Sequence, residues 1–141
     1  MIRYVDTSLL VAALTNEHRT AAAQVWLAKQ RADTLAISDW VVTEFSSALS
    51  IKLRSRQIGL AHRASALAAF ARLVADSFTV LPVLGGHFRT ASKFADQHTL
   101  GLRAGDALHL AIAGDQGATL CSLDKRLVDA GSAIGVKTLL L

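Results

Sequence analysis

Residues 34–54, TLAISDWVVTEFSSALSIKLR, decide the fold. Residues 34–38 form a strand-length apolar run bounded by polar side chains. From Asp39 to Arg54 the pattern changes: Val41, Val42, Phe45, Leu49 and Leu53 recur at steps of one, three and four, the spacing of one buried helical stripe. Ser38 stands where this helix needs an N-cap. The stretch therefore reads as a strand feeding directly into a helix.

The same alternation extends in both directions. Strands are predicted at residues 2–6, 78–84, 118–122 and 136–140, and helices at 8–14, 18–30, 60–75, 86–97, 105–116 and 124–130. Gln57-Ile58-Gly59 marks the break before the fourth helix, and Gly117 and Gly131 fall where helix ends are expected. Strands joined by helical connections are normally parallel, with right-handed crossovers and helices on both faces. The prediction is a three-layer α/β fold with a central parallel sheet flanked by helices, one domain over residues 1–141. Pro82, the only proline, marks an edge position or the end of its strand.

The 141 residues are 52% apolar and 18% charged, which excludes a disordered chain and leaves enough apolar surface for a core. The single cysteine, Cys121, permits no intramolecular disulfide, so a cytoplasmic location is the expectation. Asp6 interrupts the N-terminus before a signal-like apolar stretch develops, and no run is long enough to span a membrane. The formal net charge of +4 suits a polyanionic partner without requiring one.

In open parallel sheets ligands collect beyond the carboxyl ends of the strands. Asp6 ends the first strand, Glu44 lies about a turn and a half into the helix after the second, Asp106 opens a helix after a glycine-containing turn, and Asp124 follows residues 118–122 by two. Carboxylates brought together raise one another's proton affinity, and a divalent cation relieves the repulsion. Hard oxygen ligands without paired histidines or cysteines favour Mg²⁺, with Mn²⁺ able to substitute. Such an ion orients and activates water and stabilises charge on a phosphoryl oxygen, so phosphodiester hydrolysis is the chemistry to expect.

Tyr4-Val5-Asp6-Thr7-Ser8, Val42-Thr43-Glu44-Phe45, the run from Leu102 to Ala111 that contains Asp106-Ala-Leu-His-Leu-Ala, and Ser122-Leu123-Asp124-Lys125-Arg126-Leu127 resemble, in order, the four acidic motifs of PIN-domain nucleases. The likeness covers essentially the whole chain and is to the VapC toxins of type II toxin-antitoxin systems. It implies that Asp6 and Asp106 are the principal Mg²⁺ ligands, with Glu44 and Asp124 completing the site directly or through waters. It also implies endoribonuclease activity on an RNA substrate such as tRNA, neutralisation by a cognate VapB-type antitoxin, and a homodimer. Ser122 occupies the place of a family hydroxyl that hydrogen-bonds within the site.

Each residue also has a plainer reading. Asp6 and Asp124 can simply cap helices. His109 reads as a hydrogen-bonded packing residue, Thr7 and Ser8 as helix N-terminal groups, and Trp26 and Trp40 as core or interface side chains. Lys52, Arg54, Arg56, His62 and Arg63 are phosphate contacts or a solvated helix end. Arg103 stands close to Asp106, as a phosphate contact or as an ion-pair partner. A phosphorelay receiver domain would need adjacent acids after the first strand and a central phospho-accepting Asp. A haloacid-dehalogenase phosphatase would need an acid where Ser8 stands. A PIN-like scaffold that binds RNA or protein without cleaving is the non-enzymatic alternative, and the retention of all four acids argues against it.

Overall fold

The computed structural model describes residues 1–141. Strand β1 (Arg3–Val5) leads into helices α1 (Thr7–Leu14) and α2 (Thr20–Ala28). Strand β2 (Leu35–Ser38) leads into α3 (Asp39–Arg54) and α4 (Leu60–Ser77), and β3 (Thr79–Leu81) into α5 (Gly85–Asp96) and α6 (Ala104–Asp115). Strand β4 (Thr119–Ser122), α7 (Lys125–Ala133) and β5 (Thr138–Leu140) close the chain. All strand pairs are parallel, in the order β3-β2-β1-β4-β5. Helix α1 packs on α2, α3 and α4, α5 packs on α6, and α7 covers β4 and β5. The parallel three-layer α/β architecture expected from the alternation is the one that forms.

Helix α3 shows how the sequence drives this. Val41, Phe45 and Leu49, spaced by four, are fully buried, and the Phe45 ring stacks on Phe70 of α4 at a centroid distance of 4.1 Å. Burying each such side chain contributes about 1.5–3 kcal/mol, which fixes the helix rotation. Val42 does not belong to the stripe: it is 38% exposed, because a residue one step from Val41 turns about 100° away from the core.

Several boundaries differ from the sequence reading. Strand β3 is confined to Thr79–Leu81, since Phe78 caps the end of α4 and Pro82 has no N–H for the ladder. It is an edge strand, and Pro82 follows its last residue. Ser38 precedes α3 without capping it; its hydroxyl is committed to Tyr4 at 2.7 Å. Helix α7 does not stop at Gly131. A Cβ there would lie 2.6 Å from Thr138 Cγ2 and 2.7 Å from Leu110 Cδ2, so Gly131 lets α7 approach β5 and α6 closely. The helix ends instead before Gly135, which takes the left-handed conformation at φ 84°.

The strand order has a functional consequence. From β1 the chain winds outward to β2 and β3, then returns to the other side of β1 to build β4 and β5. Between β1 and β4 the direction of winding reverses, and in such sheets a crevice opens at the carboxyl ends of those two strands. Tyr4 pairs with Leu120 and Val5 with Cys121, so Asp6 and Ser122 emerge side by side at that crevice.

Candidate active site

Asp6 follows β1 directly and is 4% exposed. Its Oδ1 caps α1 by accepting from the Leu9 N–H at 3.3 Å, as the plain reading supposed. The cap is only part of its role. Ser8 Oγ donates to the same carboxylate at 2.8 Å, and Ser122 Oγ donates to Oδ2 at 2.7 Å across the crevice from β4. Burial raises the Asp6 proton affinity above the ordinary carboxylate value, although Ser122, His109, Ser8 and the Leu9 N–H all oppose the shift.

Ser122 accepts in turn from the Asp124 N–H at 2.9 Å, coupling the first acid to the start of the fourth motif. Asp124 caps α7: its Oδ1 accepts from the Arg126 and Leu127 N–H groups at 3.0 and 3.4 Å. Capping through one oxygen leaves the other carboxylate oxygen available to the crevice.

Asp106 is the third residue of α6 and faces Asp124 across a cleft of ≈ 240 Å³ lined by Gly101, Arg103, Asp106, Asp124 and Arg126. The Asp106 carboxyl is also pushed above its ordinary value. Burial is the main cause, offset by the Arg103 backbone N–H, and the negative charges of Asp124 and Glu44 add to it while His109 opposes. The protein thus holds Asp106 among other carboxylates at an electrostatic cost. Neither Arg103 nor Arg126 is ion-paired with these acids; Arg126 is anchored instead by donating Nη2–H to the Gly101 carbonyl at 3.1 Å.

Glu44 reaches the same region from α3. Its Oε1 accepts from Thr7 Oγ1 at 2.7 Å and is hydrogen-bonded to His109 Nε2. Burial would raise its proton affinity, but the hydrogen bond and charge of His109, with the Thr7 hydroxyl, outweigh burial and hold Glu44 below the ordinary value. His109 itself is buried, with Nδ1 2.8 Å from the Tyr4 hydroxyl.

Asp106 and Asp124 therefore share the cleft, whereas Asp6 and Glu44 do not line it: Asp6 is linked to the Asp124 backbone through Ser122, and Glu44 acts on Asp106 through its charge. No three acidic, imidazole or thiol side chains stand together closely enough to hold an ion among them, so the four acids do not converge as a ready-made metal site. Larger cavities exist elsewhere, including one of ≈ 440 Å³ bordered by Leu84, His87, Phe94 and Asp115, but they contain none of the four acids. Lys52 is spent on an ion pair with Glu17 at 2.7 Å, which removes one member of the basic group at the end of α3 from phosphate binding. Trp26 and Trp40 pack half-buried against the core.

Tyr4, Ser38, Gly105 and Arg126 have no site role in the sequence reading, where Ser38 stands only as a helix cap and the other three only within the acidic motifs. A tyrosine in a buried strand carries a hydroxyl that must find a partner, and that signal was present at Tyr4. Nothing in the sequence identified the partner.

The PIN domain family model matches residues 3–132, and the chain belongs to the PIN domain family. Among solved structures it is similar to VapC20 of Mycobacterium tuberculosis, described as a sarcin-ricin loop cleaving toxin, with a TM-score of 0.76, 21% identity and 99% of each chain covered. It is similar to FitAcB from Neisseria gonorrhoeae, with a TM-score of 0.71, 16% identity and coverage of 98% of this chain and 96% of that one. A third likeness is to VapBC2 from Rickettsia felis bound to a DNA fragment from its promoter, with a TM-score of 0.67, 20% identity and coverage of 99% and 98%. At these identities the likeness is one of fold. No curated protein matches the sequence at a significant level.

Proposed function

We propose that this PIN domain is a metal-dependent endoribonuclease and the toxin of a type II toxin-antitoxin pair. The observation that carries the reading is the polar cleft in which Asp106 faces Asp124, flanked by two arginines that the acids leave unpaired. In this reading Asp6 and Asp106 hold Mg²⁺ or Mn²⁺, with Glu44 and Asp124 completing the site. The donors fit: all are hard oxygens, and Mg²⁺ keeps several waters and needs only one or two carboxylates plus a substrate phosphate, so an open set suits it better than a closed cage. The bound ion supplies Lewis-acid polarisation of the phosphoryl group and a lowered pKa for water.

The remaining work falls to the chain itself. Arg103 and Arg126 line the cleft beside the acids, and their guanidinium groups suit the phosphates of an RNA strand. Ser122 fixes the separation of the Asp6 carboxylate from the start of α7 by donating to one and accepting from the other. Thr7 and His109 keep Glu44 ionised and oriented.

The decisive test is cleavage of a fluorogenic RNA by the purified protein. Cleavage should require Mg²⁺ or Mn²⁺, stop with EDTA and return when metal is restored in excess. Cleavage untouched by EDTA, or RNA binding without cleavage at any metal concentration, would defeat the nuclease reading; the second outcome would favour a binding scaffold.

A cytoplasmic setting, a VapB-type antitoxin and a homodimer belong to the same proposal. Exposed apolar side chains, among them Val25, Ile51 and Leu60 on α2, α3 and α4 and Leu84 and Phe88 at α5, leave surface for both protein partners. No helix is long and apolar enough to cross a membrane. Light scattering at high micromolar concentration is expected to report twice the mass of one chain, and a monomer there would remove the dimer from the proposal.

A further inference from the structure

His109 lies one helical turn beyond Asp106 on α6 and is 3% exposed. Both ring nitrogens are engaged: Nε2 with Glu44 Oε1, and Nδ1 with the Tyr4 hydroxyl at 2.8 Å, which itself lies 2.7 Å from Ser38 Oγ. A polar chain thus runs from Ser38 through Tyr4 and His109 to Glu44, joining β2, β1, α6 and α3. The ionised Glu44 only accepts, so Nε2 carries the proton it shares. The Tyr4 and Ser38 hydroxyls each donate and accept, so they complete the bond at Nδ1 whichever way its proton lies.

The two oxygens of Glu44 are treated differently. Oε1 receives both His109 and Thr7, whereas Oε2 receives no hydrogen bond from the protein. Oε2 lies where α3 meets the start of α6, 2.9 Å from the point a Cβ on Gly105 would occupy. Gly105 immediately precedes Asp106, so the absence of a side chain there leaves room for the free oxygen beside the residue that faces Asp124.

We propose that His109 is a positioning residue of the acidic site: backed by Tyr4 and Ser38, it clamps Oε1 of Glu44 so that Oε2 is presented beside Asp106. This rests on the metal-dependent nuclease reading. His109 does not touch substrate. Its effect passes through Glu44, as outer hydrogen-bond partners of metal-site carboxylates act by fixing the orientation of the donor. Filling this space with apolar side chains would avoid the cost of desolvating the His109, Tyr4 and Ser38 polar groups, and what the polar chain supplies in return is a fixed donor to Oε1 of Glu44.

The test uses Mn²⁺ binding to the RNA-free protein, followed by the electron paramagnetic resonance signal of free Mn²⁺, with thermal melts and steady-state RNA cleavage on the same samples. His109→Leu should weaken Mn²⁺ binding by about tenfold or more. It should lower kcat while leaving KM for RNA nearly unchanged, since Arg103 and Arg126 are untouched. His109→Gln, whose amide can donate to Oε1, should recover most of the affinity. Tyr4→Phe keeps the ring but frees Nδ1, so it should weaken Mn²⁺ binding to a lesser degree and add little to His109→Leu. If His109→Leu does not fold, His109→Gln and Tyr4→Phe carry the comparison, with Thr7→Val removing the other donor to Oε1. Variants that melt earlier but bind Mn²⁺ as the wild type does would overturn the proposal and leave His109 a packing residue. A wild type that neither binds Mn²⁺ nor cleaves RNA would instead overturn the nuclease reading, and this inference with it.

Discussion

Replacing Asp6 with Asn is expected to lower metal-dependent RNA cleavage by about 100-fold or more while the protein remains folded. The substitution is nearly isosteric, and Asn caps a helix about as well as Asp, so the bond from the Leu9 N–H to Oδ1 survives. Ser8 and Ser122 now donate to the carboxylate; either hydroxyl can rotate to accept from an amide instead. The buried charge disappears, and with it the desolvation that raises the Asp6 proton affinity, so stability should hold or rise. What is lost is a carboxylate donor for a cation at the carboxyl end of β1. Initial rates on a fluorogenic RNA, beside thermal melts of the same preparations, separate the two effects. Full activity in a folded, EDTA-sensitive Asp6→Asn protein would mean that Asp6 is a helix cap and nothing more.

Asp106→Asn should also abolish most cleavage, and in addition it should make the metal-free protein more stable by about 1 kcal/mol at neutral pH. The sign follows from the raised proton affinity of Asp106. Between the ordinary carboxylate value and the folded value, the native state keeps a proton that the unfolded chain has released. The stability contributed by this group is therefore complete below about pH 4 and is lost as pH rises through the folded value. Above the folded value the wild type bears the whole penalty and the Asn variant bears none. The difference between them should shrink to nothing below about pH 4. Glu44 has the opposite sign, stabilising the fold above its ordinary range and losing that contribution on acidification, but it is present in both proteins and largely cancels. Added Mg²⁺ should then raise the melting temperature of the wild type more than that of the variant, because a ligand stabilises only through preference for the folded state. Equal magnesium shifts together with retained cleavage would reduce Asp106 to an ordinary first-turn residue.

The legible part of this protein was its local order. The four-residue spacing of Val41, Phe45 and Leu49, and the strand-length runs between helical segments, state which residues must leave water, and that demand is the same in the sequence as in the fold. The strand order was not legible, because parallel pairing is settled by how helices cover the faces of the sheet and not by any one strand. Only that order sets β1 beside β4, and so sets Asp6 within hydrogen-bond reach of Ser122, 116 positions away. Asp124 was ambiguous for a similar reason: a capping acid and a site acid have the same sequence signature, and only the fold shows that this capping acid also lines the cleft opposite Asp106.

The sequence alone determined the element succession and the α/β class, and it nominated four acids by chemical type, since periodicity and ligand hardness are properties of residues in order. The tertiary structure decided the rest. It committed Ser38 to Tyr4 instead of to a helix cap, carried α7 past Gly131, and ran one buried polar chain from Ser38 to Glu44 through His109. Each of these joins residues distant in sequence, where burial removes water and the polar atoms must find partners in whatever element packs against them.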